Sequence, residues 1–277
     1  MLIKVIMNSL IITTLTSCTI SKTAQFTETD FSSLNSILLI VNYNHPHYGS
    51  VEFIKNLYKR AFPHIVFYGE RRIRSKNVRV IPTNQGYYAQ RVLADAIQNY
   101  PGYDGYLMLQ DDCLLNFWNL LRFDKNKLWI NTFGTEDLHT QTTSWWWNQM
   151  SARYQKTNAQ ATMDGIQALP DTFKEQITAN IGKDMGAGGA TDFIYIPQKY
   201  AHDYCSIWKH FNDIFVEIAL PTIFLCMDDI QNLEITQSAW GSSELNNALD
   251  WIHPVKFSSK DNRDRVLREF VTLGALA

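Results

Sequence analysis

Short apolar runs alternate with helix-like segments along the first half of the chain. Runs rich in Val, Ile and Leu predict buried strands at 37–41, 65–68, 78–81 and 106–109. Between them, apolar residues recur three or four positions apart and predict helices at 51–61 and 88–100. Because strands that alternate with helices pair in parallel, the pattern predicts an α/β fold with a mainly parallel central sheet flanked by helices.

The second half of the chain has a less regular pattern. Short apolar runs predict strands at 128–131 and 192–197, and helical spacing predicts helices at 170–181 and 199–211. The run at 215–227 is apolar but contains Pro221, which predicts a buried helix that is kinked or interrupted. The sequence shows no internal repeat and no separating linker, so residues 36–277 are predicted to form a single domain.

Composition narrows the class of protein. Apolar residues make up 45% of the 277 residues and charged residues 19%, which excludes a disordered or fibrous chain. The 25 Lys and Arg residues nearly balance the 27 Asp and Glu residues, so no basic surface for nucleic acid is expected. The four cysteines are spaced too widely for a zinc site or a disulfide scaffold, and Cys113, Cys205 and Cys226 are predicted to be buried thiols.

The N-terminal segment resembles an export signal. Lys4 precedes an apolar stretch, interrupted by two polar residues, that ends in Leu-Thr-Ser-Cys18, a sequence similar to a bacterial lipoprotein cleavage box. Residues 1–18 are therefore predicted to be a signal or anchor segment, and lipidation of Cys18 would attach the protein to a membrane. The Thr- and Ser-rich residues 19–35 are predicted to be a flexible tether.

A pair of adjacent aspartates follows one of the predicted buried strands. Asp111 and Asp112 lie at the carboxyl end of the strand at 106–109, where open α/β sheets bind their ligands. Two neighbouring carboxylates repel each other unless a cation lies between them, and oxygen ligands suit Mg²⁺ or Mn²⁺. Alternatively, the aspartates cap a helix at 114–121, because Asp is a favoured N-cap residue. The pattern alone leaves both interpretations open.

A longer stretch that includes this pair resembles a known family. The segment GYLMLQDDCLLNFWNLLRFDKNKLWI, which begins at Gly105, is similar to the corresponding segment of the STELLO glycosyltransferase family, known from plant Golgi proteins. Further similar segments are DFIYIP from Asp192, FVEIALPT from Phe215 and WIHPVK from Trp251. The resemblance covers most of residues 37–259 and implies a GT-A-like nucleotide-sugar domain.

The resemblance implies that the acidic pair binds a divalent metal, Mn²⁺ or Mg²⁺. Asp112 would be a direct ligand, and Asp111 would bind the metal or the ribose of the donor, although the two could exchange roles. His253 matches the late histidine that completes the metal shell in many GT-A enzymes, and Lys256 could contact the diphosphate as a point charge. For His253 the alternative is a loop histidine before Pro254.

Two asparagines and an arginine are candidates for binding the donor. Asn42 and Asn44 follow the first predicted strand, where a GT-A fold holds the nucleobase, and their amides could bind a uracil edge. The alternative is ordinary turn chemistry in this Asn- and Pro-containing loop. Arg91 lies in the predicted helix at 88–100 and could face the phosphates, although a solvated helix arginine is the commoner case.

The candidates for a catalytic carboxylate are Asp192, Asp228 and Asp229. Residues 186–192 are glycine-rich and predicted to be a flexible loop that lets the backbone approach a ligand, with Asp192 at its end. Asp192 would contact sugar hydroxyls or act as the general base; the alternative is a loop aspartate that begins a strand. Asp228 and Asp229 follow the apolar run at 215–227 and are alternative bases.

Two further features are predicted to be mainly structural. Glu217 lies in the same apolar run, where a carboxylate must be paired to be tolerated. The consecutive residues Trp145, Trp146 and Trp147 could stack on sugars. Three consecutive side chains cannot share one face, however, so at least one of them is expected in the core.

These features favour a metal-dependent hexosyltransferase, with a uridine-diphosphate sugar as donor, glucose as the favoured sugar, and a carbohydrate or glycoconjugate acceptor. The acidic pair disfavours the alternative, a non-catalytic carbohydrate- or protein-binding module of the same fold. A phosphohydrolase would need further clustered His or Asp ligands, and the sequence offers none. The expected location is the secretory pathway or Golgi lumen in a eukaryote, and a lipid-anchored lipoprotein in a bacterium.

Overall fold

The computed structural model describes residues 28–72, 77–140, 145–148, 156–241 and 245–276. Within these ranges no helix is long and apolar enough to cross a membrane. The predicted signal or anchor segment at 1–18 lies outside the described residues.

The elements predicted in the first half of the chain are present, with small shifts at their ends. The strands are β1 (Ile37–Asn42), β2 (Ile65–Gly69), β3 (Val78–Val80), β4 (Gly105–Gln110), β5 (Leu114–Leu115), β6 (Trp129–Ile130), β7 (Phe133–Asp137), β8 (Met185–Gly189), β9 (Phe193–Pro197), β10 (Glu234–Ile235), β11 (Ser238–Trp240) and β12 (Trp251–His253). The α-helices are α1 (Val51–Tyr58), α2 (Gln90–Asn99), α3 (Trp145–Asn148), α4 (Asn158–Gln167), α5 (Asp171–Ile181), α6 (Ala201–Ile207), α7 (Val216–Met227) and α8 (Lys260–Thr272).

The central sheet has the strand order β10-β6-β9-β4-β1-β2-β3. β1 pairs in parallel with β2 and β4, β2 pairs in parallel with β3, and β10 pairs in parallel with β6. Only β9 runs the other way among these seven strands, antiparallel to β4 and β6. The predicted α/β fold with a mainly parallel sheet is confirmed.

Alternating residues of β1 pack into two apolar layers on opposite faces of this sheet. Leu38 and Ile40 join the layer formed with helices α2, α6 and α7, whereas Leu39 and Val41 join the layer formed with α1 and α8. All residues of β1 are buried, as expected for a central parallel strand covered on both sides. Helix α7 continues through Pro221 without interruption and is buried along most of its length.

The strand directions bring separate parts of the chain to one edge of the sheet. β1 and β4 are parallel and in register, so that Asn42 lies opposite Gln110 at their carboxyl ends. β9 begins at this same edge because it is antiparallel to β4. A second sheet, in the order β11-β12-β5, adjoins the edge because β5 follows the acidic pair at the end of β4.

The acidic pair is not followed by the helix considered at 114–121. Leu114 and Leu115 instead form β5, which pairs antiparallel with β12, and a 3-10 helix follows at Phe117–Arg122. Both leucines are buried, so the sheet gives them an apolar environment that an exposed first helical turn would not. The interpretation of the two aspartates as helix caps is therefore wrong.

Most of the glycine-rich segment is a strand rather than the flexible loop that was expected. Met185–Gly189 form β8, which pairs antiparallel with β7. The lack of side chains permits close packing, because a Cβ added at Gly186 would lie 2.8 Å from the ring of Trp147. Trp147 is buried, as predicted for at least one member of the tryptophan cluster.

Part of the segment predicted to be a flexible tether is folded. Glu28–Leu34 form a 3-10 helix in which Phe31 and Leu34 are buried. The ring of Phe31 packs against that of Phe117, with centroids 4.8 Å apart. These apolar contacts explain why regular structure begins before residue 36.

Candidate active site

Carboxylates and an imidazole from three parts of the chain meet at the carboxyl edge of the central sheet. Asp111 and Asp112 follow β4, Asp192 directly precedes β9, and His253 ends β12. The Nε2 atom of His253 lies 3.0 Å from Oδ1 of Asp112 and 3.6 Å from Oδ1 of Asp192. All four residues are buried. We refer to them as the acidic cluster.

Backbone hydrogen bonds hold these segments together. The amide of Asp111 donates to the carbonyl of Asn42 at 2.9 Å, which joins β1 to the end of β4. The amide of Val255 donates to the carbonyl of Asp112 at 2.6 Å, which fixes the segment after β12 against the acidic pair. The side chains of the acidic cluster therefore project from a rigid frame.

Asp112 is the most strongly ionised member of the acidic cluster. Burial acts to raise its pKa, but the hydrogen bond and charge of His253, together with the contact of Lys256, lower the pKa to about 2. Burial acts to lower the pKa of His253, but its hydrogen bond to Asp112 and the charge of Asp192 raise that pKa overall. Lys256, whose side chain is 59% exposed, contacts Oδ2 of Asp112 from the solvent side.

The other two aspartates retain protons to higher pH. Burial, and then the charge of Asp112, raise the pKa of Asp111 to about 7. Burial likewise raises the pKa of Asp192 to about 6. The charge of Asp112 acts to raise both pKa values, so ionising all three carboxylates at once is unfavourable.

An amide network lies next to the acidic cluster, at the end of β1. The Nδ2 atom of Asn42 donates to Oδ1 of Asn44 at 3.0 Å and to Oε1 of Gln110 at 2.9 Å. The backbone amide of Asn44 donates to Oδ1 of Asp111 at 3.4 Å, which links the network to the cluster. The structure therefore places Asn42 and Asn44 beside the acidic pair, together with Gln110.

Several buried polar atoms of the site have no hydrogen-bond partner in the described part of the chain. They are Oδ1 of Asn42, Oδ2 of Asp192 and Nδ1 of His253. Such atoms are costly to leave unpaired, so they commonly mark a ligand or a water position. Within the described ranges, however, no group of three or more His, Cys, Asp or Glu side chains has an arrangement that could hold a metal ion.

Comparison with known proteins identifies two similar plant proteins. The chain is 24% identical over 261 residues to an Arabidopsis thaliana protein named Probable glycosyltransferase STELLO2, an alignment that covers 86% of this chain and 32% of that protein. This match relates the chain by sequence similarity to a STELLO protein. Probable glycosyltransferase STELLO1 of the same plant is 24% identical over 151 residues, covering 51% of this chain and 18% of that protein. The chain thus spans about a third of the length of STELLO2.

No family model matches the chain. Among solved structures, a glycosyltransferase involved in the glycosylation of the major capsid of PBCV-1 is 9% identical, with a TM-score of 0.38. That alignment covers 84% of this chain and 99% of the PBCV-1 protein chain. Sequence similarity to STELLO1 and STELLO2 is therefore what relates the chain to glycosyltransferases.

Arg91, a candidate for binding the phosphates, pairs with residues outside the acidic cluster. One guanidinium nitrogen contacts Oδ1 of Asp213 at 2.6 Å, and the group also donates to the carbonyls of Asn212 and Pro82. The charge of Arg91 is thus neutralised by a partner from the loop before α7. Its role is to tie helix α2 to that loop.

Asp228 and Asp229, the alternative candidates for the base, lie at the opposite end of helix α7 from Glu217. Glu217, in the first turn of α7, is near enough to Asp192 for their charges to interact. The two aspartates follow the last turn of this 12-residue helix, and a helix of that length extends about 18 Å. Asp228 instead accepts a hydrogen bond from Tyr200, and Asp229 caps a short 3-10 helix.

Two residues near the acidic cluster have no functional role in the sequence analysis. Burial, and then the charge of Asp192, raise the pKa of Glu217 to about 8. Trp240, the last residue of β11, is 64% exposed, and its ring centroid lies 4.4 Å from that of His253. The position of Glu217 within an apolar run could have marked it in the sequence as an unusual carboxylate. The small and polar neighbours of Trp240 give no sign that this residue lies beside the site.

Proposed function

We propose that this chain transfers a glucosyl unit from a uridine-diphosphate sugar to a carbohydrate or glycoconjugate acceptor, with Mn²⁺ or Mg²⁺ as cofactor. Similarity to the STELLO glycosyltransferases supports transferase chemistry. The observation that carries the proposal is the buried cluster of Asp111, Asp112, Asp192 and His253 at the carboxyl edge of the sheet. Open α/β sheets bind their ligands at this edge.

The donor would lie along the edge from β1 towards β12. The amides of Asn42 and Asn44 offer hydrogen-bond donors and acceptors to a uracil edge, and Oδ1 of Asn42 is buried without a partner in the described residues. Lys256, on the solvent side of the cluster, would bind the diphosphate. The nucleobase, the diphosphate and the sugar would then follow one another along the edge.

The residue types of the acidic cluster fit a divalent cation, although their side chains are not arranged around a metal position in the described part of the chain. Asp111, Asp112 and His253 would hold it, because carboxylate oxygens and an imidazole nitrogen are ligands that Mn²⁺ accepts. Two buried atoms of the cluster have no hydrogen-bond partner in the described residues: Oδ2 of Asp192 and Nδ1 of His253. These atoms could therefore interact with a bound ligand. When bound, the cation would offset the negative charge that develops on the departing diphosphate.

Asp192 is the residue best placed to act on the acceptor. Its Oδ1 atom lies 3.6 Å from Nε2 of His253, which leaves Oδ2 available. In an inverting reaction this carboxylate would take the proton of the attacking hydroxyl. A pKa raised to about 6 by burial suits a base that works near neutral pH.

The Asp112→Asn variant tests the donor site. The amide preserves the size of the side chain but removes the charge that would hold the cation. The affinity for UDP-glucose in the presence of Mn²⁺, measured by titration calorimetry, should therefore fall about tenfold or more. Asp203→Asn, at an exposed position in helix α6, is the matched control and should bind as the unmodified protein does.

Two results would contradict the proposal in different ways. Equal Mn²⁺-dependent affinity in Asp112→Asn and in the control would reject the acidic pair as the metal site, provided that both variants melt cooperatively. Release of no uridine diphosphate by the unmodified protein, across a range of donors and acceptors, would favour the non-catalytic binding module.

A further inference from the structure

Trp240 presents an aromatic ring to solvent beside the acidic cluster. The residue is 64% exposed, whereas Trp129 and Trp251 are fully buried. Tryptophan combines a large apolar surface with one polar N–H group, so it is typically buried unless it contributes to a binding surface. An exposed indole next to a polar site therefore indicates a surface for a ligand that is itself partly apolar.

The position of this ring is fixed by its strand and by its neighbour. β11 pairs in parallel with β12, and Trp240 is aligned with His253 in that pairing. The amide of Gly241 donates to the carbonyl of His253 at 2.8 Å, which holds the backbone after the tryptophan. The indole and imidazole rings meet edge to face, with an interplanar angle of 62°. Because the ring is already held in place, a ligand that binds to it causes little loss of side-chain conformational entropy.

A succession of contacts links the amide network to Trp240. The amide of Asn44 contacts Asp111, the adjacent Asp112 contacts His253, and His253 contacts the ring of Trp240. The proposed function places the nucleobase at the Asn44 end of this succession. Trp240 is the last residue of this chain of contacts, so it would lie nearer to the acceptor than to the nucleobase.

We propose that Trp240 is the platform on which a pyranose ring of the acceptor binds, an assignment that rests on the proposed function for the position of the donor. The C–H face of a pyranose is apolar and packs on an indole ring, while its hydroxyls remain hydrated around the edge. Asp192 and Trp240 both contact His253, so a sugar on this platform lies close to the carboxylate that would accept its proton.

Disaccharide binding to the full chain tests this assignment without any donor present. Cellobiose, maltose and lactose are titrated to millimolar concentrations and followed by saturation-transfer NMR. Trp240→Ala should weaken the binding of the preferred disaccharide about tenfold or more, and Trp240→Phe should retain most of it, because a phenyl ring still offers an aromatic face. Val271→Ala, at a 65% exposed position in helix α8, is the control for a truncated surface side chain and should have no effect.

The same proteins are titrated with UDP-glucose and Mn²⁺, and the tryptophan variants should bind it as the unmodified protein does. Unchanged disaccharide affinity in Trp240→Ala, or no binding of any of the three disaccharides to the unmodified protein, would overturn the assignment. A matching loss of UDP-glucose affinity would also overturn it, because the ring would then serve the donor. Failure of the Asp112→Asn test alone, with disaccharide binding still dependent on Trp240, would reject the donor site and leave the sugar platform intact.

Discussion

Asp192 differs from the other aspartates of the acidic cluster in how its carboxylate is engaged. Asp112 accepts hydrogen bonds from His253 and Lys256, and Asp111 accepts one from the backbone of Asn44. Oδ2 of Asp192 is buried and has no partner among the residues that the structure describes. Since no described group depends on this oxygen, its replacement should affect the chemistry more than the fold.

Asp192→Asn should lower turnover about 100-fold or more, because an amide cannot accept the proton of the acceptor hydroxyl. The affinity for UDP-glucose should change little, since the lost interaction is made chiefly in the transition state. The measurements are released uridine diphosphate and calorimetric donor affinity.

Asp229→Asn is the matched control, because it removes the same charge at the far end of helix α7. It should retain full turnover. A drop in unfolding free energy and donor affinity in Asp192→Asn, with turnover reduced only in proportion, would assign Asp192 a structural role instead.

Glu217 gives the folded state a distinctive pH dependence. Burial, and then the charge of Asp192, raise its pKa from 4.5 to about 8. Between these values the unfolded chain has released this proton while the folded chain still binds it, so the contribution of Glu217 to stability falls as the pH rises from about 4.5 to 8. Glu217→Gln removes this contribution.

We therefore expect the unmodified protein to lose more stability than Glu217→Gln between pH 5 and pH 8. Urea unfolding at several pH values measures the difference, and titrations common to both proteins cancel in it. Parallel stability curves for the two proteins would show that Glu217 ionises as an ordinary solvated carboxyl does.

At the scale of elements, the pairing of β7 with β8 depends on close contact between backbones. A Cβ added at Gly189 would lie 2.7 Å from the carbonyl oxygen of Thr132 and 2.9 Å from Cα of Phe133. Backbone atoms cannot move aside as a side chain can, so Gly189→Ala should lower the unfolding free energy by about 1–3 kcal/mol. Gly134, on β7, has no such contact within 4 Å.

Gly134→Ala is the control for the change in unfolded-chain entropy, and its stability should lie within about 0.5 kcal/mol of the unmodified protein. Both variants can be compared by urea unfolding. A destabilisation shared equally by the two variants would show that the added methyl group acts through strand propensity and not through contact with Thr132.

The elements that could be predicted from sequence are those that bury a continuous apolar face. The sequence predicts β1 and β4 as buried strands because each is a continuous apolar run. It predicts α1 and α2 as helices because their apolar residues recur three or four positions apart. β5 takes its form from pairing with β12, a strand far along the chain. β8 has the composition of a loop and becomes a strand because Trp147 and β7 cover its glycines.

The site could be predicted residue by residue but not as a constellation. Asp112 and His253 follow apolar runs and Asp192 immediately precedes one, which makes each a candidate. Their contact depends on the reversed direction of β9 and on the second sheet, and no local pattern encodes either. Arg91 could not be excluded from sequence because its partner Asp213 is supplied by tertiary structure.

At the scale of the whole molecule, the acidic cluster joins segments that are distant in sequence. Asp112 belongs to the central sheet, Asp192 lies between β8 and β9, and His253 ends a strand of the second sheet. Packing on both faces of the sheet must therefore be in place before the cluster has its final geometry. Contacts of this range make folding slow compared with that of chains dominated by local contacts.

The separation between Asp112 and His253 has a consequence for synthesis on the ribosome. The two residues are 141 positions apart, so a growing chain that has already emerged as far as the aspartate still lacks the histidine and Lys256. Such an intermediate carries a carboxylate pair without its two cationic neighbours. The proposed donor site therefore gains both positively charged partners of Asp112 only after residue 256 has been synthesised. A translation product that ends before this residue would lack the complete site for a nucleotide sugar.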